Sequence, residues 1–158
     1  MDKLDRKILD CLQQDASLSV AEIADRVGLS STPCWRRIRN LEEAGIIRRR
    51  AALLDREKLG LGTTVFVAIK TRQHTDAWLT RFAETVAAFP EIVELYRMSG
   101  EIDYLMKVVV ADIPAYDAFY KRLIAAVDLF DVSSSFAMEE IKFTTALPLD
   151  TAPSLNTA

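Results

Sequence analysis

Residues 28–45 read GLSSTPCWRRIRNLEEAG. Gly28 follows the last apolar residue of the preceding segment, as a left-handed helix C-cap does. Ser30 or Ser31 is placed to cap a new helix, and Pro33 fits its first turn, where no helical N–H is required. Cys34, Ile38 and Leu41 then recur on one stripe and Gly45 ends the run. Trp35, Arg36, Arg37, Arg39 and Asn40 are left on the other faces.

Working outward, two more helices are predicted upstream. From Asp2 to Gln14, residues Leu4, Ile8, Cys11 and Leu12 form a stripe at i, i+4, i+7 and i+8. Asp15-Ala16-Ser17 breaks it. From Ser19 to Val27, Val20, Ile23, Ala24 and Val27 form the next stripe, and Ser19 with Glu22 is a capping-box pair. Two short helices joined by Val27-Gly28-Leu29-Ser30 make a helix-turn-helix, in which the second presents its leading turns and a polar face to a major groove. Ser31 and Thr32 lead that face. Arg36, Arg37 and Arg39 offer guanidinium forks for guanine edges or phosphates. Ile46 to Ala51 is expected as a strand, a wing carrying Arg48, Arg49 and Arg50 onto the DNA backbone.

Charge supports this more locally than globally. The 158-residue chain has net charge −3. Residues 1–60 hold 12 Lys/Arg against 10 Asp/Glu, while residues 36–50 hold six Arg against Glu42 and Glu43. A phosphate-binding surface needs such a cluster, because each neutralised phosphate releases counterions. An arbitrary arginine cluster is more often a solvated helix face; its place on this helix favours DNA.

Composition excludes several classes. Half the residues are hydrophobic and 27% are charged, with 5 Gly and 5 Pro, an ordinary globular chain. No apolar run approaches the ~18 residues of a membrane span, and MDKLDRKILD has no signal-peptide core. A cytoplasmic protein with no membrane partner is expected. Cys11 and Cys34 lie on inward stripes and read as core fillers. His74 is the only histidine, in a polar turn, where a surface residue is expected. No metal site, cofactor or catalytic constellation is expected, and the chain reads as a non-enzyme.

The period changes downstream. Residues 54–62 (LDREKLGLG) read as a hinge between an N-terminal domain over 1–53 and a second over 63–149. Thr63–Thr71 is an apolar, β-branched strand, and Asp76–Phe89 a helix with Trp78, Phe82, Val86 and Phe89 on one stripe. Ile92–Met98 and Tyr104–Val110 form a hairpin through Ser99-Gly100-Glu101. A helix opens at Pro114, and Phe130–Leu147 returns as strand. The order β-α-β-β-α-β is the split βαβ unit, an α+β ferredoxin-like sandwich with helices on one sheet face. Val65, Val67, Tyr104 and Met106 are expected on the uncovered face, which a second copy would cover. Residues 150–158 are expected to be a disordered tail.

Residues 3–47, MSGEIDYLMKV (98–108) and MEEIKFTTALPL (138–149) resemble the leucine-responsive/asparagine-responsive regulators, the Lrp/AsnC or feast/famine family. The resemblance covers nearly the whole chain, with GLSSTPCWRRIRNLEEAG and SGEIDYL its specific parts. It implies a winged helix-turn-helix transcription regulator binding double-stranded DNA. It also implies a homodimer through the sheet domain, assembling to an octamer, and a small-molecule effector, an amino acid, held between subunits. Ser31–Asn40 corresponds to the family's DNA-reading helix; Trp35 stands where a smaller aliphatic residue is commoner. The family's effector region corresponds to Met98, Ser99, Gly100, Glu101, Asp103 and Tyr104, with Ile113 nearby, and to Ser133, Ser134, Ser135, Phe136 and Ala137. Gly100 would let backbone approach a ligand. Asp103 or Glu101 would meet an ammonium group and the serines a carboxylate. Two other readings compete: a siroheme decarboxylase-like subunit acting on a tetrapyrrole, and an architectural DNA binder without effector. The first leaves the arginine-rich helix unexplained.

Overall fold

The computed structural model describes residues 1–73 and 75–152. His74 and the tail residues 153–158 lie outside the described residues. The chain divides into two compact units, one of Met1–Leu53 with the segment from Lys142 onward, the other of Leu54–Ile141.

In the first unit, helices α1 (Lys3–Gln14), α2 (Val20–Val27) and α3 (Ser31–Glu43) enclose a core of Ile8, Leu12, Leu18, Ile23, Val27, Cys34, Ile38 and Leu41. The local signals behave as their chemistry dictates. Asp2 and Asp5 close a capping box at the start of α1, and Ser19 and Glu22 close one at the start of α2. Gly28 ends α2 at φ +76°, and its N–H reaches the Ala24 and Asp25 carbonyls. Cys34 is fully buried and Cys11 partly so, and burial pushes the Cys34 thiol pKa up.

The expected strand over Ile46–Ala51 does not form: residues 46–53 carry no regular element. Among the described residues, all strand pairing lies in the other unit, so this segment has no edge to join. The N–H groups of Ile46 and Ile47 both turn back to the Leu41 carbonyl, which closes the end of α3. The arginines that follow sit on irregular, exposed backbone.

The C-terminal segment also belongs to this unit. Gln13 holds the main chain of Leu147 from both sides, its amide oxygen accepting the Leu147 N–H at 2.9 Å and its amide nitrogen donating to the Leu147 carbonyl at 3.1 Å. The Arg6 guanidinium donates to the carbonyls of Leu149 and Ala152. Leu149–Thr151 form a single 3-10 turn, so the start of the expected disordered tail is ordered.

In the second unit, β1 (Thr63–Lys70), β2 (Ile92–Arg97), β3 (Tyr104–Val110) and β4 (Asp131–Phe136) make an antiparallel sheet in the order β2-β3-β1-β4. Helices α4 (Asp76–Ala87) and α5 (Ile113–Ala126) pack on it. Val65, Val67, Ile69, Tyr104, Met106, Val108 and Val110 join Phe82, Val86, Phe119 and Leu123 in the core. Val65, Val67, Tyr104 and Met106 are therefore on the helix-covered face, opposite to the sequence expectation. The uncovered face carries the alternate residues Phe66, Ala68, Leu105, Val109 and Tyr96 around a Glu94–Lys107 ion pair at 3.1 Å.

Two further differences have simple causes. The last strand ends at Phe136 because its partner ends: Phe136 pairs with Val65, and the Ala137 N–H reaches the Thr64 carbonyl at the first turn of β1. Beyond it Met138 and Ile141 are 97% and 90% exposed, with Phe143 and Leu147 also exposed. The expected hinge is a folded turn. The Asp55 carboxylate accepts the N–H groups of Glu57 and Lys58, and the Leu61 N–H closes on the Arg56 carbonyl.

Gly28 has no atom within 4 Å of where a Cβ would stand, so a substitution there meets only the cost of its left-handed backbone. Gly28→Ala is expected to lower unfolding stability by about 1–2 kcal/mol, and Gly28→Asn by less. Denaturant melts of the two variants check this; equal losses would contradict it.

Candidate functional site

The polar face of α3 is built by its apolar one. With Cys34, Ile38 and Leu41 in the core, the helical period leaves Ser31, Thr32, Trp35, Arg36, Arg39 and Asn40 exposed. Trp35 is 54% exposed, a large ring on the outer surface of the helix. Ser30 stands at the N-cap without a side-chain cap bond, and Pro33 has no N–H to offer. The first-turn N–H groups of Ser31 and Thr32 thus remain uncapped, an arrangement suited to phosphate.

The six arginines separate into two sets. Arg37 is half-buried and its Nη1 lies 2.7 Å from both Asp2 Oδ2 and Asp5 Oδ1. Arg39 pairs with Glu43 at 3.3 Å and Glu42 at 3.8 Å, and Arg50 with Glu42 at 3.2 Å. These three pairs lie at the surface, so little energy holds them and a phosphate can compete. Arg36, Arg48 and Arg49 are exposed and form no ion pair among the described residues. Sequence reasoning missed the partners of Arg37. The Asp2/Asp5 spacing at the start of α1 is itself a capping-box signal, but nothing local connects it to α3.

The effector candidates fall in two places. The turn after β2 is held by the Met98 N–H on the Asp103 carbonyl and the Asp103 N–H on the Ile69 carbonyl. The Asp103 carboxylate accepts the Thr71 N–H at 2.7 Å, so one of its oxygens anchors the turn. Gly100 has φ +121°, which side-chain-bearing residues rarely adopt, and open space around it. Ser99 lies exposed beside it, and Glu101, 91% exposed, pairs with Lys70 at 3.6 Å. Tyr104 does not line this turn. It is buried against Phe82 and Trp78, with ring centroids 4.8 and 6.0 Å away.

On β4 the serines alternate. Ser133 and Ser135 pair with Ala68 and Phe66 on the uncovered face, while the Ser134 hydroxyl is bonded to the Tyr116 hydroxyl on the helix face. Phe136 meets Tyr116 edge-on at 5.1 Å. Burial pushes the Tyr116 hydroxyl pKa up.

Register shows how far apart these groups lie. Met98–Asp103 sits at the Ile69/Lys70 end of β1, where Ile69 pairs with Tyr104. Phe136 and Ala137 sit at the Val65/Thr64 end, and Ile113 follows the strand whose Val110 pairs with Thr63. Seven residues of strand separate the ends, roughly 20 Å. Ser133, opposite Ala68, lies toward the turn's end and Phe136, Ala137 and Ile113 lie at the other, so one protomer does not gather all of these residues.

Acid sensitivity is expected at the start of α1. The Asp2 carboxyl is held below the ordinary carboxylate range, chiefly by the Asp5 N–H and further by Arg37, against a small opposing effect of burial. A depressed folded value gives stability that is present above the unfolded value of ~3.9 and lost as pH falls through the folded one. Asparagine also caps helices, so Asp2→Asn isolates the charge. Its stability deficit is expected to be at most about 1 kcal/mol at pH 7, as exposed pairs allow. The deficit should shrink in thermal melts as pH falls below the ordinary carboxylate range of ~3.9; one that stayed constant with pH would contradict the assignment.

Comparison with known proteins agrees with both units. Residues 1–48 match the family model described as winged helix-turn-helix DNA-binding, and residues 64–147 that described as Lrp/AsnC ligand binding domain. The chain is 54% identical over 151 residues to the DNA-binding transcriptional activator DecR of Escherichia coli (strain K12), covering 95% of this chain and 99% of that one. The crystal structure of an AsnC family transcriptional regulator from Agrobacterium tumefaciens matches with TM-score 0.93 and 63% identity, over 95% of this chain and 98% of that one. A transcriptional regulator from Neisseria meningitidis in complex with L-Met matches with TM-score 0.91 and 40% identity, over 95% and 97%.

Proposed function

This chain belongs to the Lrp/AsnC family, and from that premise we propose that it is a sequence-specific transcription regulator whose assembly and DNA binding respond to an amino acid. The observation that carries the DNA half is the exposed face of α3, whose arginines have no partner or only weak ones. Ser31 and Thr32 meet phosphate through the helix start. Trp35, Arg36, Arg39 and Asn40 face base edges. Arg48, Arg49 and Arg50 lie along the backbone and position without specifying.

The effector half rests on the split set of turn and strand residues, and on the L-Met complex of the Neisseria regulator. The turn residues and those at the far end, Phe136, Ala137 and Ile113, meet only if a second copy supplies one set. The uncovered sheet face and the exposed Met138 and Ile141 that follow β4 support such a copy. We therefore propose a homodimer through this domain, assembling further to an octamer, with the amino acid at the subunit junction. An amino acid favouring one assembly shifts occupancy of DNA by linkage, and ~1–3 kcal/mol of coupling suffices.

Three measurements check this. In a gel shift on the gene's own upstream duplex, Arg36→Ala with Arg49→Ala is expected to weaken binding about tenfold or more, from ~1–3 kcal/mol per lost contact. Unchanged affinity would sink the DNA assignment. In a thermal-shift panel of the standard amino acids, one or a few should raise the melting temperature; a flat panel removes the effector. In sedimentation, Ile141→Asp is expected to shift the protein to smaller species with helix content kept. Wild type that sediments as a monomer would overturn the dimer.

A further inference from the structure

We propose that Arg37 is a positioning residue that fixes the setting of α3 against α1, and that it makes no contact with DNA. This rests on the DNA-binding reading above and divides its arginines by task.

The geometry is specific. Asp2 and Asp5 each divide their two carboxylate oxygens between two jobs. Asp2 Oδ1 accepts the Asp5 N–H at 2.9 Å and Asp5 Oδ2 accepts the Asp2 N–H at 2.9 Å, which closes the capping box of α1. The remaining oxygens, Asp2 Oδ2 and Asp5 Oδ1, both receive Arg37 Nη1 at 2.7 Å. The carboxylates are thus fixed by their own helix before the guanidinium arrives. The short distances are those of charge-assisted bonds.

A helix seated only by Cys34, Ile38 and Leu41 is held by a force without direction, which resists exposure better than it resists roll. Base-edge recognition needs direction as well. Arg37 supplies it at the rim of the apolar stripe, tying α3 to residues 35 and 32 positions earlier in the chain. A phosphate approaching Arg37 would meet two carboxylates, and the clasp as a whole carries one net negative charge. Already neutralised within the protein, Arg37 would displace no condensed counterion from a duplex. Its neighbour Arg36, exposed and without an ion pair, is the contrasting case.

The test compares two duplexes of equal length, one selected in vitro by the wild-type protein from a random pool and one unselected, across a salt series. Arg49→Ala, at a phosphate-facing position, is expected to reduce the slope of log affinity against log salt by about one. Arg37→Ala should leave that slope and the affinity for the unselected duplex unchanged, while narrowing the selected-to-unselected ratio about fivefold. Asp5→Asn should narrow the ratio similarly, and the double variant no further. If the alanine variant melts below the assay temperature, Arg37→Met, which keeps an apolar stem and removes the donors, reads the same ratio. A slope reduced by about one in Arg37→Ala, an unchanged ratio, or additive losses in the double variant would each overturn the proposal. If wild type bound neither duplex, or Arg49→Ala left the slope intact, the DNA-binding reading would fail first and this one with it.

Discussion

Two helices cover only one face of a four-stranded sheet, and much of this chain follows from which face they take. β1 is bonded on both sides, to β3 and to β4, so it cannot shift without breaking two ladders. Its odd residues Val65, Val67 and Ile69 are fully buried under the helices. Its even residues Phe66 and Ala68 are then committed to the other face, where Leu105 and Val109 of β3 join them. A one-residue slip would exchange the two sets and expose the core. The same alternation sends Ser134 inward to Tyr116 and leaves Ser133 and Ser135 outward. The polar character of the open face near β4 is thus a consequence of the packing of β1.

The first unit meets a different demand, that of presenting positive charge without being destabilised by it. Six arginines lie within fifteen residues, and like charges at such spacing repel. Three are neutralised by acids from the same unit: Arg37 by α1, Arg39 and Arg50 by the end of α3. The difference among these pairs lies in preparation. Glu42 and Glu43 are free rotors on a surface, and holding them costs side-chain entropy. Asp2 and Asp5 are already fixed by capping, so their pairing with Arg37 costs little more order.

The first three helices were legible because their signals are local. The Ser19/Glu22 box, Gly28, Pro33 and the apolar stripes all act within one or two turns. The second unit was legible in element order for the same reason. Face assignment was not. TTVFVAIK is apolar at nearly every position, so alternation does not say which side meets helices. Strand length at the C-terminus was not legible either, since it depends on where β1 stops. The same limit applies to Ile46–Ala51, whose composition suits a strand that has no partner. The exposed helix face with Arg36, Arg39 and Arg48–Arg50 was readable as a surface cluster of charge, whereas the removal of Arg37 into an ion pair at a separation of more than thirty residues was not.

The chain passes between its two units twice, at Leu53/Leu54 and at Ile141/Lys142. The second passage begins five residues after β4 ends, and within eleven residues of Phe136 the main chain is grasped by Gln13 of α1. Arg6 then holds two more carbonyls of the same segment. α1 therefore carries fastenings at both of its ends: its start takes Arg37 of α3, and Arg6 and Gln13 take the C-terminal segment. Helices transmit displacement as rigid bodies because close-packed cores do not deform continuously. Within the first unit, α1 therefore holds the segment from Leu147 to Ala152 and the Asp2–Arg37–Asp5 clasp on one rigid body, so the seating of that segment and the setting of α3 share a single support.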